Sequence, residues 1–256
     1  MDLNLGARVA VITGASRGLG RATALALARE GADLVIAARN PGPLEDVARS
    51  ARQLGRRVLA VSADIGRHED RQRLADEALR VFGRVDVLIS NATNLDVYRT
   101  DALQGAFWDA HYHVDLLGAV HLTELLAPGM RQRRSGAIVF VSSISGKMGE
   151  GSDHAYGTMK AALIAAGKTL AVELARDGVR VNVVAPGGMD EPGSEWERLR
   201  VTDPARVAAI EKSIPMGRLG RPEEVADCIT FLVSERAHWI AGHCLVVDGG
   251  QYPGVA

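Results

Sequence analysis

The chain has few cysteines, almost no net charge and no long apolar segment, and each of these absences excludes a class of protein. Its 256 residues include only two cysteines, Cys228 and Cys244, too few for a disulfide framework or a thiolate metal site. The formal net charge is -1, so we expect no nucleic-acid partner and no attraction to an acidic membrane surface. No segment approaches the roughly 20 apolar residues that span a bilayer. Because Met1–Gly6 lacks the basic and apolar regions of a signal peptide, we expect a cytoplasmic protein.

Histidine is also sparse in the patterns that bind metals. The seven histidines include no His-x-x-x-His pair, and His111 and His113 point to different faces of a helix. We therefore expect no catalytic metal.

What the sequence does contain is a short β-branched run that ends in a glycine turn. Val9–Thr13 is followed by Gly14, Gly18 and Gly20, and then by an Ala/Leu-rich helical pattern. Glycine lets the backbone approach an anion closely, and a helix N-terminus supplies unpaired N–H groups and positive dipole charge. This order predicts a nucleotide phosphate site; the alternative is a glycine-rich turn without a ligand.

Short apolar runs alternate with longer helical patterns along the chain. The predicted strands are Val9–Thr13, Leu34–Ala38, Val58–Ser62, Val85–Ser90, Ile138–Ser143, Val179–Ala185 and Cys244–Val247. The predicted helices are Arg21–Glu30, Pro43–Leu54, Glu69–Phe82, Ala102–Arg133, Ala155–Arg176 and Glu223–Ser234. Apolar strands separated by helices favour a parallel sheet covered on both faces. We predict an α/β fold over residues 1–256: a single-domain, Rossmann-type, doubly wound, seven-stranded parallel sheet.

One stretch, from Pro186 to Pro204, shows no regular pattern and is rich in glycine and proline, with Gly187, Pro192 and Gly193. It follows a predicted strand end, where ligands bind in such sheets. Long loops in compact domains are commonly functional. We therefore predict a substrate lid over approximately residues 187–210. A disordered surface excursion is the alternative.

The residues that would face the adenosine ribose indicate which dinucleotide is bound. In dinucleotide folds an acid at the end of the second strand accepts the ribose 2′-hydroxyl. This chain offers Ala38 and Arg39 there, and Arg17 lies within the glycine turn. Two guanidinium groups suit a 2′-phosphate, although both could be solvated surface arginines. We predict NADP(H), with Asp64 as either an acceptor for the adenine amino group or the cap of a turn.

Further motifs carry a family resemblance. Tyr156-Gly-Thr-Met-Lys160, taken with the glycine turn, Ser143 and Pro186-Gly187, is similar to the short-chain dehydrogenase/reductase family over essentially the whole length. The resemblance implies a 3-oxoacyl-reductase-like enzyme that transfers hydride between NADP(H) and a small carbonyl or secondary alcohol substrate. It also implies a set of cofactor-binding residues: Gly14, Ser16, Arg17, Gly18, Leu19, Gly20, Arg39, Asp64, Ile65, Asn91, Ala92, Tyr156, Lys160, Pro186, Gly187 and Met189.

The chemistry supports the catalytic residues independently. Tyr156 and Lys160 are four apart and share a helix face, so the lysine cation can lie near the phenol. A nearby cation lowers the phenol pKa from about 10 toward neutrality, where a general acid/base works best. Ser143 at a strand end can hold the substrate oxygen. The alternatives are a half-buried core tyrosine, a snorkelling lysine and a strand-end serine.

Three positions depart from the family pattern. Asp115 stands where relatives usually have asparagine, whose backbone carbonyl holds a water joined to the lysine. Aspartate keeps that carbonyl but places a carboxylate near Lys160, so we count Asp115 among the catalytic residues. We expect the pH profile of oxidation to be more alkaline than that of an Asp115→Asn variant. Thr93 replaces a glycine beside the cofactor, and Glu191 replaces the threonine that commonly binds the nicotinamide carboxamide.

The expected substrate is a small neutral or cationic carbonyl, or the matching alcohol. Five acids and two bases lie in Asp190–Asp203, which disfavours an anionic substrate. Of the two basic positions that carrier-protein reductases of this family use for docking, Arg134 fits and Asp177 does not. Carrier-protein reduction is therefore an alternative. Two further alternatives are reduction of an imine or activated C=C bond, and a non-catalytic role as an NADP(H)-binding regulator. The long helices resemble those that pair subunits, which implies a homotetramer or homodimer.

Overall fold

The computed structural model describes residues 2–94, 105–149, 154–191 and 193–254. Seven strands, all parallel, form one sheet in the order β3-β2-β1-β4-β5-β6-β7. The strands are β1 Val9–Thr13, β2 Asp33–Ala38, β3 Val58–Ser62, β4 Val87–Ser90, β5 Gly136–Val141, β6 Val179–Pro186 and β7 Cys244–Val247.

Helices connect the strands and cover both faces of the sheet. The α-helices of the described part of the chain are α1 Gly18–Arg29, α2 Pro41–Gln53, α3 His68–Phe82, α4 Gly105–His111, α5 Gly118–Gln132, α6 His154–Leu174, α7 Glu195–Thr202, α8 Pro204–Ser213 and α9 Pro222–Val233. The predicted doubly wound α/β fold is confirmed. Within the described ranges, no helix combines the length and the apolar character needed to cross a membrane.

Alternate residues of the strands divide the core into two layers. Ile12 on β1 packs into a layer with Leu27 of α1 and Ile229 of α9. Its neighbour Val11 packs on the opposite face, in a layer that includes Leu122 of α5. Because side chains of a strand alternate between faces, an uninterrupted apolar strand such as β1 serves both layers.

The strand order places a crevice at the centre of the sheet. Ile12 pairs with Ile36 of β2 on one side and with Ile89 of β4 on the other. The connections therefore run in opposite directions from β1 and from β4. In open α/β sheets, ligands bind at this reversal, outside the carboxyl ends of the strands.

The prediction that residues 186 to 204 form one irregular stretch is wrong in part. Helix α7 lies within the stretch, and α8 begins at its end. Ser194 caps α7 by accepting a hydrogen bond from the Glu197 N–H at 3.2 Å. Asp203 caps α8 in the same way, ahead of Pro204 at the first helical position. The polar and proline residues that indicated a loop are thus helix caps. Pro192 and the side chain of Glu195 lie outside the described residues.

The long helix predicted over 102–133 is not uniform either. Its first three residues lie outside the described ranges, and from Gly105 onward α4 and α5 are joined by a π-helical segment, Tyr112–Leu117. Such segments occur frequently at functional sites, and a pattern of period 3.6 does not reveal them. Ser143 also lies two residues beyond the end of β5 instead of within the strand.

Candidate active site

The turn between β1 and α1 lies in close contact with the segment after β4. Asn91 Nδ2 donates hydrogen bonds to the carbonyl oxygens of Thr13 at 3.0 Å and Gly14 at 3.3 Å. Gly14 has φ +67°, and a Cβ there would lie 2.9 Å from Ala92 Cα. A Cβ on Gly20 would overlap the Gly14 carbonyl. The two backbone segments lie so close together that any side chain would collide, and this explains why the turn is glycine-rich.

The start of α1 faces an acidic side chain from the predicted lid. The N-cap residue of α1, Arg17, makes no side-chain hydrogen bond to the first turn of the helix. The carboxylate of Glu191 lies against Gly18, where an added Cβ would overlap Oε2. Burial raises the pKa of Glu191, while Arg17 and the Leu19 N–H act in the opposite direction. A carboxylate thus occupies the place where a helix N-terminus favours an anion.

The two arginines predicted to bind a 2′-phosphate lie on the surface. Arg17 is exposed, and its Nη1 donates to the Gly193 carbonyl at 2.9 Å, so the glycine turn contacts the lid. Arg39 is exposed immediately after β2. Asp64 Oδ1 accepts a hydrogen bond from the Gly66 N–H at 2.9 Å. One of its oxygens therefore caps a turn, which was the alternative to binding the adenine amino group.

The other predicted cofactor residues lie at the carboxyl edge of the sheet. Ile65 is buried after β3, and Ala92 follows β4, where its N–H donates to Thr13 Oγ1 at 3.0 Å. Gly187 follows β6 and donates its N–H to the Val247 carbonyl at 3.0 Å, and Met189 bridges to Gly220. Because the carboxyl ends of parallel strands share one edge, these residues surround the crevice described above.

Tyr156 and Lys160 lie on one face of α6, as their spacing predicts. The lysine Nζ is 5.4 Å from the centroid of the Tyr156 ring. Lys160 is only 2% exposed, and its Nζ also donates to the Val141 carbonyl at 3.0 Å. Ser143 lies between β5 and a short 3₁₀ turn, where its Oγ accepts from the Ser145 N–H at 3.1 Å. The structure thus anchors the lysine rigidly beside a half-buried tyrosine.

Asp115 is in direct contact with this lysine. Its Oδ1 is 3.0 Å from Lys160 Nζ, and it accepts a short hydrogen bond from Thr93 Oγ1. Its Oδ2 is 2.9 Å from His111 Nδ1. Burial opposes ionisation of Asp115, but the Lys160 cation and the hydrogen bonds from His111 and Thr93 outweigh it and hold the pKa of the carboxyl below its ordinary value. The π-helical segment carries this carboxylate into the site.

Histidine 111 is the member of the cluster that sequence reasoning missed. Its ring packs edge-on against Tyr156, with centroids 5.9 Å apart. Its Nε2 is buried and has no hydrogen-bond partner among the described residues. The signal was available, because His111 and Asp115 are four apart on a helix. Within the described ranges, no group of three or more His, Cys, Asp or Glu side chains is placed to hold a metal ion.

Comparisons with known proteins agree over nearly the whole chain. A family model described as enoyl-(acyl carrier protein) reductase matches residues 14–251. Cis-4-hydroxycyclohexanecarboxylate dehydrogenase of Sinomonas cyclohexanicum is 40% identical, over 95% of this chain and 96% of the relative. The 3-oxoacyl-(acyl-carrier-protein) reductase FabG of Thermotoga maritima is 34% identical, over 97% of this chain and 99% of the relative. L-Sorbose reductase of Gluconobacter frateurii, solved with NADPH and L-sorbose, has a TM-score of 0.94 at 33% identity, with 100% of both chains covered.

A doubly wound sheet with a glycine turn at its switch point and a buried lysine beside a tyrosine defines a dinucleotide-type oxidoreductase scaffold. The chain belongs to the short-chain dehydrogenase/reductase family. The predicted family is therefore confirmed.

Proposed function

We propose that the protein is an NADP(H)-dependent dehydrogenase/reductase that transfers hydride between nicotinamide and a small carbonyl compound or secondary alcohol. The observation that carries the proposal is the placement of Lys160 Nζ 5.4 Å from the Tyr156 ring centroid, with Ser143 at the end of the neighbouring strand. A cation held beside a phenol favours the phenolate, which a general base requires.

In this mechanism Tyr156 is the general acid/base. When bound, the nicotinamide would supply hydride for the substrate carbon, or accept it in oxidation. During reduction the Tyr156 hydroxyl donates its proton to the substrate oxygen, and during oxidation the phenolate takes the hydroxyl proton. The Ser143 hydroxyl donates a hydrogen bond to the same oxygen. Lys160 stabilises the phenolate through its charge, and Asp115 balances that charge.

The residues present fit the cofactor. The first turn of α1 already faces the Glu191 carboxylate, so this cradle accommodates an anionic group. The diphosphate would lie there, Arg17 and Arg39 would hold the 2′-phosphate, and Lys160 would reach the nicotinamide ribose. The remaining contacts would come from Ser16, Asp64, Ile65, Asn91, Ala92, Pro186, Gly187 and Met189.

A free small molecule is a better substrate for this site than one linked to a carrier protein. Arg134 is exposed at the position that suits an acidic carrier. Asp177 lies nearby and is paired with Arg131 at 2.6 Å, so it neutralises part of the basic surface that docking requires. The relatives include enzymes of both kinds, and carrier-protein reduction is the second candidate.

We also propose a homotetramer or homodimer assembled through α5 and α6. Val172 is 64% exposed on α6, one of the two helices predicted to pair subunits, so it is available for contact with a second copy. Light scattering coupled to gel filtration measures this directly. A Val172→Glu variant should dissociate the assembly, whereas a monomeric wild type would contradict it.

The function is tested by mixing the full chain with NADPH and a panel of carbonyl compounds and following cofactor absorbance. We expect turnover, and for Tyr156→Phe a loss of about 10³-fold in kcat that is far larger than any change in Kd for NADPH. Tyr112→Phe, which alters an exposed tyrosine of the π-helical segment, is the matched control. Cofactor binding without any turnover would favour the regulator. Turnover that persists in Tyr156→Phe would favour imine or C=C reduction.

A further inference from the structure

A histidine–aspartate pair is buried beneath the lysine of the candidate active site. His111 and Asp115 are each almost completely inaccessible to solvent. The His111 Nδ1 lies 2.9 Å from Asp115 Oδ2, while the other oxygen, Oδ1, lies 3.0 Å from Lys160 Nζ. The carboxylate therefore bridges the histidine and the lysine, and each oxygen has its own partner.

The network fixes the form of the histidine. Because the pKa of Asp115 is held below its ordinary value, its carboxylate is an acceptor, so His111 Nδ1 carries the proton that it donates. The other ring nitrogen, Nε2, lacks a hydrogen-bond partner among the described residues. The ring is held edge-on by Phe107 at 5.2 Å and by Tyr156 at 5.9 Å between centroids.

Polar and charged groups face the pair from two other elements. Lys160 and Tyr156 face it from α6. The segment after β4 contributes two uncharged donors, the Thr93 hydroxyl and the Asn94 N–H. Each donor to the carboxylate disperses part of its negative charge, and that part no longer acts on Lys160. A donor to Asp115 therefore strengthens the net cation that Tyr156 experiences.

We propose that His111 is a positioning residue of the hydride-transfer centre. By donating its Nδ1–H to Asp115, it orients the carboxylate toward Lys160 and limits how far Asp115 cancels the lysine charge at Tyr156. This inference rests on the proposed function for its role in turnover, but the electrostatic coupling exists in the protein without substrate. Nothing in the family resemblance assigns a role to this histidine.

Removal of the donor should make Tyr156 less acidic. In His111→Phe the ring shape remains but Asp115 loses one hydrogen bond, so more of its charge opposes Lys160. We expect the ionisation of Tyr156 to move to higher pH by about half a unit to one unit. In His111→Asn the side-chain N–H₂ lies close to the former Nδ1 and should restore most of the wild-type value.

The experiment is a double-mutant cycle read by titration of the full chain. Phenolate absorbance is followed against pH, and the Tyr156→Phe protein provides the reference that isolates Tyr156. His111→Phe is measured in the wild-type and in the Asp115→Asn background, with NADPH binding and thermal unfolding as checks that each variant folds. We expect the shift only when Asp115 is present, and recovery in His111→Asn.

The same shift in both backgrounds, or no shift with Asp115 present, would overturn the proposal. A purely structural role for His111 would lower the melting temperature without moving the Tyr156 titration, and this too would overturn it. Because the titration needs no substrate, an absence of turnover on every compound tested would contradict the proposed function and leave this inference to be decided separately.

Discussion

Oε2 of Glu191 lies against Gly18, at the N-terminus of the helix that follows the glycine turn. This oxygen is buried and has no hydrogen-bond partner among the described residues. The carboxylate therefore lies where the fold would bind the cofactor diphosphate, and two anionic groups cannot share one cradle. If the diphosphate binds there as proposed, Glu191 has to move away from Gly18.

We predict that Glu191→Gln tightens the binding of NADPH. The variant removes the charge that competes with the diphosphate, and we expect Kd to fall by about 3- to 10-fold, where tenfold corresponds to about 1.4 kcal/mol. Quenching of intrinsic fluorescence or calorimetry measures Kd without turnover. Asp190→Asn is the matched control, because it removes a charge one residue away whose carboxylate contacts Arg200 at 2.8 Å. An equal effect in the control would show that lid charge alone is responsible.

The advantage of Glu191→Gln should depend on pH. Burial raises the pKa of Glu191, so the side chain takes up a proton at a higher pH than an ordinary glutamate. The neutral form of Glu191, which favours the folded state because the side chain is buried, is present at low pH. It is lost as the pH rises through the raised pKa. The charged form that competes with the diphosphate therefore accumulates as the pH rises. We expect the ratio of the two Kd values to shrink as the pH falls toward 5, and a constant ratio would contradict this account.

The choice of dinucleotide should depend on two exposed arginines. If Arg17 and Arg39 hold a 2′-phosphate, the double variant Arg17→Ala with Arg39→Ala should raise KM for NADPH by about 10- to 100-fold, since charge-assisted hydrogen bonds contribute about 1.5–3 kcal/mol. KM for NADH should change by less than about 3-fold. Arg21→Ala, at another exposed arginine of α1, controls for the loss of positive charge. Equal losses for both dinucleotides would refute NADP(H) selection.

Asp115→Asn should move the pH profile of alcohol oxidation toward lower pH. The aspartate is ionised, because the Lys160 cation and two hydrogen bonds overcome the effect of burial on its pKa. Its charge offsets the pull of Lys160 on the phenol, and asparagine removes that offset. The base form of Tyr156 then appears at lower pH. Profiles of kcat/KM for oxidation provide the measurement, and superimposable profiles of the two proteins would sink this prediction.

A variant of Arg134 should distinguish free small carbonyl substrates from acyl substrates on a carrier protein. If free small carbonyls are the substrates, Arg134→Glu should change kcat/KM by less than about 2-fold, as an exposed charge distant from the reacting atoms contributes little. An acyl substrate on a carrier protein would lose at least about 10-fold, because a docking charge is reversed. Measurement of both substrates with both proteins decides between them. A large loss confined to the carrier-linked substrate, together with higher wild-type activity on it, would favour the second candidate.

The sequence was most informative where local backbone geometry requires a particular residue type or spacing. The glycines of the β1–α1 turn are required by the close approach of Ala92 and of Gly14 itself, and this requirement is visible as spacing. Tyr156 and Lys160 share a face because a helix repeats every 3.6 residues. Apolar strands separated by helices predicted the parallel sheet covered on both faces.

Other features were misjudged because two local interpretations were equally good. Ser194 and Asp203 suit both a loop and a helix cap, and only the packed lid distinguishes them. The π-helical segment breaks the period that sequence reasoning relies on, so the placement of Asp115 beside Lys160 was expected from family resemblance and not from the pattern. The strand ends moved by two residues at β4 and β5, as ends commonly do.

The sequence by itself therefore determined the fold, the family and the residues most closely tied to the proposed chemistry, because each depends on periodicity or on a short motif. Only the tertiary structure decided that His111 completes the cluster around Lys160, and that Glu191 lies against Gly18. Both relationships join segments far apart in the chain or depend on side-chain direction. Charge interactions act through space over a few ångströms, and the separation along the chain says nothing about that distance.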